Sequence, residues 1–255
     1  MSERNVLIAL LLAGVAVLAQ VSPAQGQTMR TLTSSRQVWS TEPMAIEIEY
    51  GAGTLDIERE SSGSLLYRME MRYDEERVTP VAEFDSAART LRLGSRQHEG
   101  ARGRMREGSR MEIALTDRVP LDLGLHFGAG EAEIDLGGVR LRRLELETGA
   151  SETTVRFDEP NPMRAEEVQL KAGAAELRVI GLGNLRAERI HFQGGVGSTT
   201  LDFSGPWERN ASATVQMGVG ELVLRFPSSV GVRINRSSFL TSFDADRFEQ
   251  RDGAY

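Results

Sequence analysis

Between Asp122 and Phe226 the chain says nearly the same thing five times. Each copy carries a short glycine signature: Gly128-Ala-Gly130, Gly149-Ala-Ser151, Gly173-Ala-Ala175, Gly195-Val-Gly197 and Gly218-Val-Gly220. The first glycines are spaced 21 to 24 residues apart. A near-constant period in the low twenties marks a stacked repeat in which no copy buries its own core.

On both sides of each glycine, apolar and polar residues alternate. Leu123, Leu125 and Phe127 share one face and Asp122, Gly124 and His126 the other; Ala132, Ile134 and Leu136 resume the pattern after the corner. Period two on both sides is strand patterning with one face buried, and no copy shows the three-to-four spacing of a helix. The glycines sit where two strands of a copy join and the chain must bend. Stacked coils place equivalent residues about 4.8 Å apart. The expected fold is all-β: a single-stranded β-solenoid of coils about 21 to 24 residues long.

The same glycines could suggest a phosphate cradle. A dinucleotide site needs G-x-G-x-x-G opening a helix, whereas Gly128-Ala-Gly130 leads into strand patterning. No G-x-x-x-x-G-K-[ST] run exists, and Lys171 is the only lysine. Neither nucleotide binding nor a cofactor is expected.

Residues 1–26 read as an export signal: Arg4, an apolar run from Val6 to Leu18, and small residues at Ala24-Gln25-Gly26 for cleavage near Gly26. The run is short for a membrane span, which needs about 20 residues, although an uncleaved anchor stays open. The location expected is periplasm or cell surface. The chain has no cysteine, which removes disulfides, thiol catalysis and Cys-ligated zinc. A net charge of −7 disfavours nucleic acid as a partner.

Residues 27–120 form the N-terminal β region. Residues 28–43 look like an irregular lead-in. Gly51-Ala-Gly53 then adds a sixth copy in the same frame, with Gly51 at its corner. An insertion separates it from the other five. It holds strand patterns at Tyr67–Tyr73, Val81–Phe84, Leu91–Leu93 and Met111–Leu115, read as a small β layer capping one end. Arg96, Arg102, Arg104, Arg106 and Arg110 lie around a glycine-rich stretch between two of these strands. That stretch is either a solvated loop or an anion-binding arm for acidic glycan or lipid headgroups. Residues 121–235 form the five-coil array, ending with a strand at Val230–Ile234. Residues 236–255, with Phe239, Phe243, Phe248 and Tyr255, are the C-terminal cap.

Candidate chemistry is sparse. His126 and His191 lie outward on separated coils, and His98 sits by the arginine-rich stretch, so a shared metal site is not expected. Three positions after the corner stand Glu131, Glu152, Glu176, Ser198 and Glu221. A column of stacked carboxylates is either a solvated ridge or a site for a divalent cation or cationic ligand. Four positions further on stand Asp135, Arg156, Ile180, Asp202 and Arg225, whose adjacent Asp–Arg pairs suggest exposed ladders. A calcium roll needs G-G-x-G-x-D, and Thr199 stands where Gly194-Gly195-Val196-Gly197 would require the aspartate.

The G-[AV]-[GA]-x-x-x-[ILV]-x-[LF] coils, with a GAG copy ahead of the insertion, resemble the bacterial toast-rack family. They are also similar to related adhesin-like proteins and to the C-terminal domain of LiaF-type envelope-stress proteins. The resemblance runs from about Gln37 onward. It implies a right-handed solenoid, exported and non-enzymatic, and brings no catalytic residues. The function expected is a non-catalytic envelope protein, adhesin-like or a scaffold, binding a protein or glycan through its outer faces. Two alternatives are a sensor subunit that restrains a membrane kinase and, more remotely, a polysaccharide-acting enzyme.

Overall fold

The computed structural model describes residues 29–99, 108–235 and 237. Eleven strands build one open sheet: β1 (Met29–Gln37), β2 (Met44–Arg59), β3 (Leu65–Asp74), β4 (Val78–Asp85), β5 (Thr90–Gln97), β6 (Arg110–Leu115), β7 (Leu121–Asp135), β8 (Leu141–Arg156), β9 (Glu167–Ile180), β10 (Arg189–Asp202) and β11 (Ser212–Arg225). A single 3₁₀ turn, Leu182–Leu185, is the helical element among the described residues. No described helix is long and apolar enough to cross a membrane.

The glycine copies are β2 and β7 to β11, stacked in parallel and in register. Ala52 pairs with Ala129, Ala129 with Ala150, Ala174 with Val196, and Val196 with Val219. The glycines do not join two strands. Each copy is one strand of 14 to 16 residues, or 15 in β7, that bends while remaining paired. Glycine is needed there because neighbouring backbones nearly touch. A Cβ on Gly128 would overlap the carbonyl oxygen of Gly51, and one on Gly195 would lie 2.7 Å from that of Gly173. Two residues on, Gly53, Gly130, Gly197 and Gly220 adopt φ of 118° to 136°, which a side chain disfavours. In β8 and β9, Ser151 and Ala175 occupy that position without positive φ.

Inside the bend the two arms face one apolar core, closed by the connections between copies. Phe157, Leu182, Leu185 and Phe203 from those connections are all at most 3% exposed. The connections stack as well: Asn161 donates its N–H to the Asn184 carbonyl at 2.8 Å, and Phe157 to that of Ile180 at 3.0 Å. Asn161 is 2% exposed, and its side-chain Nδ2 donates to the Leu141 carbonyl at 2.7 Å. These asparagines satisfy backbone groups that a buried turn would otherwise orphan.

The insertion extends the same sheet rather than forming a separate layer. β5 pairs in parallel with Ala45–Glu49 and β6 with Thr54–Arg59, so two strands cover the two arms of β2. β3 and then β1 continue antiparallel from β6, and β4 lies antiparallel on β5. β1 corrects the lead-in reading. Its sequence, MRTLTSSRQ, is almost wholly polar because it is an edge strand, so it lacks the apolar alternation that reveals a half-buried one. At the other end, Val230–Ile234 is not a strand; the described chain after Arg225 turns at Pro227 and stays irregular. The export segment and the C-terminal phenylalanines lie outside the described residues.

Candidate interaction faces

Alternation that buries one face of each arm leaves the other outside. Before the corner, the outer face carries Glu47, Glu49, His126, Glu145, Glu147 and Lys171 on successive copies. Lys171 Nζ donates to Glu145 Oε1 at 2.7 Å, which holds the ammonium above its ordinary range, and lies 3.8 Å from Glu147. His126 sits 3.8 Å from Glu147 and 4.0 Å from Glu47. Burial pushes the Glu47 carboxyl up, His126 opposes this, and Glu145 and Glu49 add to it. Gly124 leaves the room that the Glu47 carboxylate occupies. His191 lies three copies from His126, beside Glu167 at 3.8 Å.

After the corner, Glu131 pairs in register with Glu152, Glu152 with Glu176, and Ser198 separates Glu176 from Glu221. All four glutamates are exposed. Glu176 accepts from Arg178 at 3.1 Å. Among the described residues no three His, Asp or Glu converge as metal ligands do.

The next column is less simple than a ladder of aspartates and arginines. Arg156 pairs with Glu133, one strand over and two residues back, not with its register neighbour Asp135. Asp135 instead accepts from the Gly137 N–H at 2.9 Å, and Asp202 from that of Ser204 at 2.7 Å. A short acidic side chain at a strand end closes an Asx turn, and that local bond wins over an exposed ion pair.

Sequence reasoning missed a second carboxylate row, because it depends on how the insertion pairs. Glu70 on β3 is opposite Glu112 on β6, Glu112 opposite Asp56 on β2, and Asp56 opposite Glu133 on β7. Four acidic side chains thus cross four adjacent strands. Arg110 answers two of them, with Nη2 3.0 Å from Asp56 and Nε 2.6 Å from Glu112. Arg68 lies 3.7 Å from Glu58. Burial raises the Asp56 carboxyl; Arg110 opposes, and Glu112, Glu133 and Glu131 raise it further. Around this row lies an open groove of about 530 Å³, lined by Asp56, Glu70, Arg110, Glu112, Glu133 and Arg156 among others. Only alternate, polar-looking residues in β3 and β6 signalled it.

Two of the five arginines in the proposed anion-binding arm are described. Arg110 is paired as above, and Arg96 lies 3.5 Å from Glu83 on β4. Both therefore face carboxylates of their own chain. Arg102, Arg104 and Arg106 lie outside the described residues. His98 is tied locally, its Nε2 2.9 Å from the Thr79 hydroxyl and its Nδ1 3.1 Å from the Glu76 carbonyl.

No curated protein matches this chain. Among solved structures it is similar to a "putative cell adhesion protein" from Clostridium sporogenes, at 14% identity, covering 77% of this chain and 99% of that one with a TM-score of 0.53. It is also similar to a "putative adhesin" from Bacteroides fragilis, at 11% identity, covering 77% of this chain and 97% of that one with a TM-score of 0.34. At such identities the likeness speaks to fold alone. The family model described as the N-terminal domain of toast_rack, DUF2154, matches residues 22–180 and again 167–225. Those matches take in every glycine copy and the insertion, and the chain belongs to the toast-rack family.

Proposed function

We propose that this is an exported, non-catalytic envelope protein, an adhesin-like scaffold that binds a protein or glycan through its outer faces. Its coils of 21 to 24 residues wind as a single-stranded right-handed solenoid. One observation carries the reading: the polar surface is a broad, paired and open charge array, with an open groove among Asp56, Glu112 and Arg110. Small-molecule sites are enclosed and mostly apolar; extended solenoid faces suit macromolecular partners. The adhesion-related name of the similar structure from Clostridium sporogenes favours the same reading.

The test is crosslinked capture of the tagged protein from its native envelope at low and high salt. Salt-resistant recovery of a surface protein or glycan is the expected result. Recovery of one membrane kinase would replace adhesion with the regulatory reading. Exchange of Glu152 and Glu176 to Gln separates a ridge that binds from one that is solvated: loss of capture places the partner there.

A further inference from the structure

Trp39, between β1 and β2, is the one large aromatic side chain left exposed among the described residues, at 47%. It is held rather than loose. Its ring meets that of Phe84 on β4 edge to face, with centroids 4.7 Å apart and planes at 86°. The Arg36 guanidinium in turn covers the Phe84 ring, 3.9 Å from its centroid. Just before the indole, the Val38 N–H donates to the Ser64 carbonyl at 3.0 Å.

The same two segments meet again where Arg89 Nη1 donates to Glu42 Oε2 at 3.1 Å, both side chains being exposed. Arg89 closes the turn from β4 to β5, in which Asp85 accepts from the Ala87 and Ala88 N–H groups at 2.8 and 2.9 Å. Its φ is 54°, a left-handed conformation that penalises a side chain and that glycine adopts freely. An exposed ion pair offsets little of that penalty, so an arginine kept there points to a use for its guanidinium.

A lone ring with a charged rim is too small to be the apolar centre of a protein interface. It matches the footprint of a sugar. We infer that Trp39, Arg89 and Glu42 form a binding site for a neutral glycan. The apolar C–H face of a pyranose packs on the indole, whose face carries partial negative charge. Neighbouring ring hydroxyls are met by Arg89, which donates, and by Glu42, which accepts. Because Glu42 already answers Arg89, the pair favours neutral sugars over acidic ones. The inference rests on the adhesin-like reading above and chooses glycan as the ligand.

Calorimetric titration of the purified protein with maltohexaose, cellohexaose, mannohexaose and chitohexaose tests it. At least one should bind with a Kd of about 0.1 to 1 mM. Trp39→Ala should weaken that binding at least about tenfold, and Trp39→Tyr, which keeps a ring, should retain most of it. Arg89→Gly should raise the melting temperature, because glycine relieves the left-handed backbone, yet weaken binding about threefold to tenfold. A merely structural arginine would move stability and leave affinity alone. No binding of any of the four at about 10 mM overturns the inference, as does a Trp39→Ala protein that binds like the original. Binding to phosphatidylglycerol vesicles through Trp39, with no sugar bound, also overturns it. Envelope capture is measured separately: capture that persists when no sugar binds removes this site and leaves the scaffold reading standing. Sugar binding without capture keeps the site and removes the scaffold.

Discussion

The two ends of the stack are built from similar strands and differ in what lies beyond them. Beyond β2, the inserted strands bury Met69, Met71, Met111 and Ile113 to 1% exposure or less. Beyond β11 the described chain supplies no such cover, and Val215 and Met217 stay half-exposed. The equivalent residues one copy earlier, Phe192 and Gly194, are both buried, Phe192 to 2% exposure. A coil in a solenoid is therefore finished by its neighbours, not by its own sequence. The insertion is the device that finishes the β2 end.

The sharpest way to break this comparison is at the corners. Gly128→Ala puts a methyl group into the Gly51 carbonyl, a backbone contact that cannot yield, and should cost about 3 kcal/mol or more. Gly51→Ala, in the same column at the covered end, meets nothing within 4 Å. It should change stability by less than about 0.5 kcal/mol. Chemical denaturation of the two variants decides it: equal losses would mean that the corner demands glycine for backbone conformation rather than for close approach.

The cores come next. Met69→Ala removes a side chain that is 0% exposed and should cost about 2–5 kcal/mol. Met217→Ala, half-exposed on β11, should cost less than about 1.5 kcal/mol in dilute protein.

Acid should act at the β2 end. Glu60, at its tip, is 4% exposed. Burial works to raise its carboxyl, but N–H groups of Ser62, Gly63 and Leu65 and the Ser62 hydroxyl outweigh it and hold it below its ordinary 4.5. A carboxylate with a depressed folded value adds stability that is whole above the unfolded value and lost as pH falls through the folded one. Glu60→Ala should cost about 1–3 kcal/mol at pH 7 by orphaning those N–H groups. It should also flatten the loss of stability on acidification below about pH 4.5. Denaturation midpoints of both proteins from about pH 7 to 3 measure this.

How much of this was legible depended on where each residue's partner lay in the sequence. The glycine copies were readable because each repeats its neighbour, so Glu131, Glu152 and Glu176 fall into one column from spacing alone. The row Glu70–Glu112–Asp56–Glu133 was not, because it joins strands of different lengths and opposite directions. β1 escaped for a related reason: one face packs, but only Leu32 declares it. Asp135 was placed in the right column and given the wrong partner, since a local turn outcompetes a cross-strand pair.

The smallest effect belongs to the glutamate column, and position along the stack decides its sign. Glu152 has a like charge on each side, Glu131 and Glu176, so Glu152→Gln should stabilise by a few tenths of a kcal/mol at low salt. The gain should vanish near 1 M salt, where the screening length falls to about 3 Å. Glu221, on β11, has Ser198 as its one described register neighbour and should give no gain. Denaturation of both variants at two ionic strengths resolves this, and adding a divalent cation inverts the question. A ridge that holds the cation would make Glu152→Gln destabilising in its presence, because the middle ligand is lost, while Glu221→Gln would stay neutral. A gain at Glu152 that persists with the cation leaves the column a row of solvated charges, tolerated because its stack is held together from the other face of the sheet.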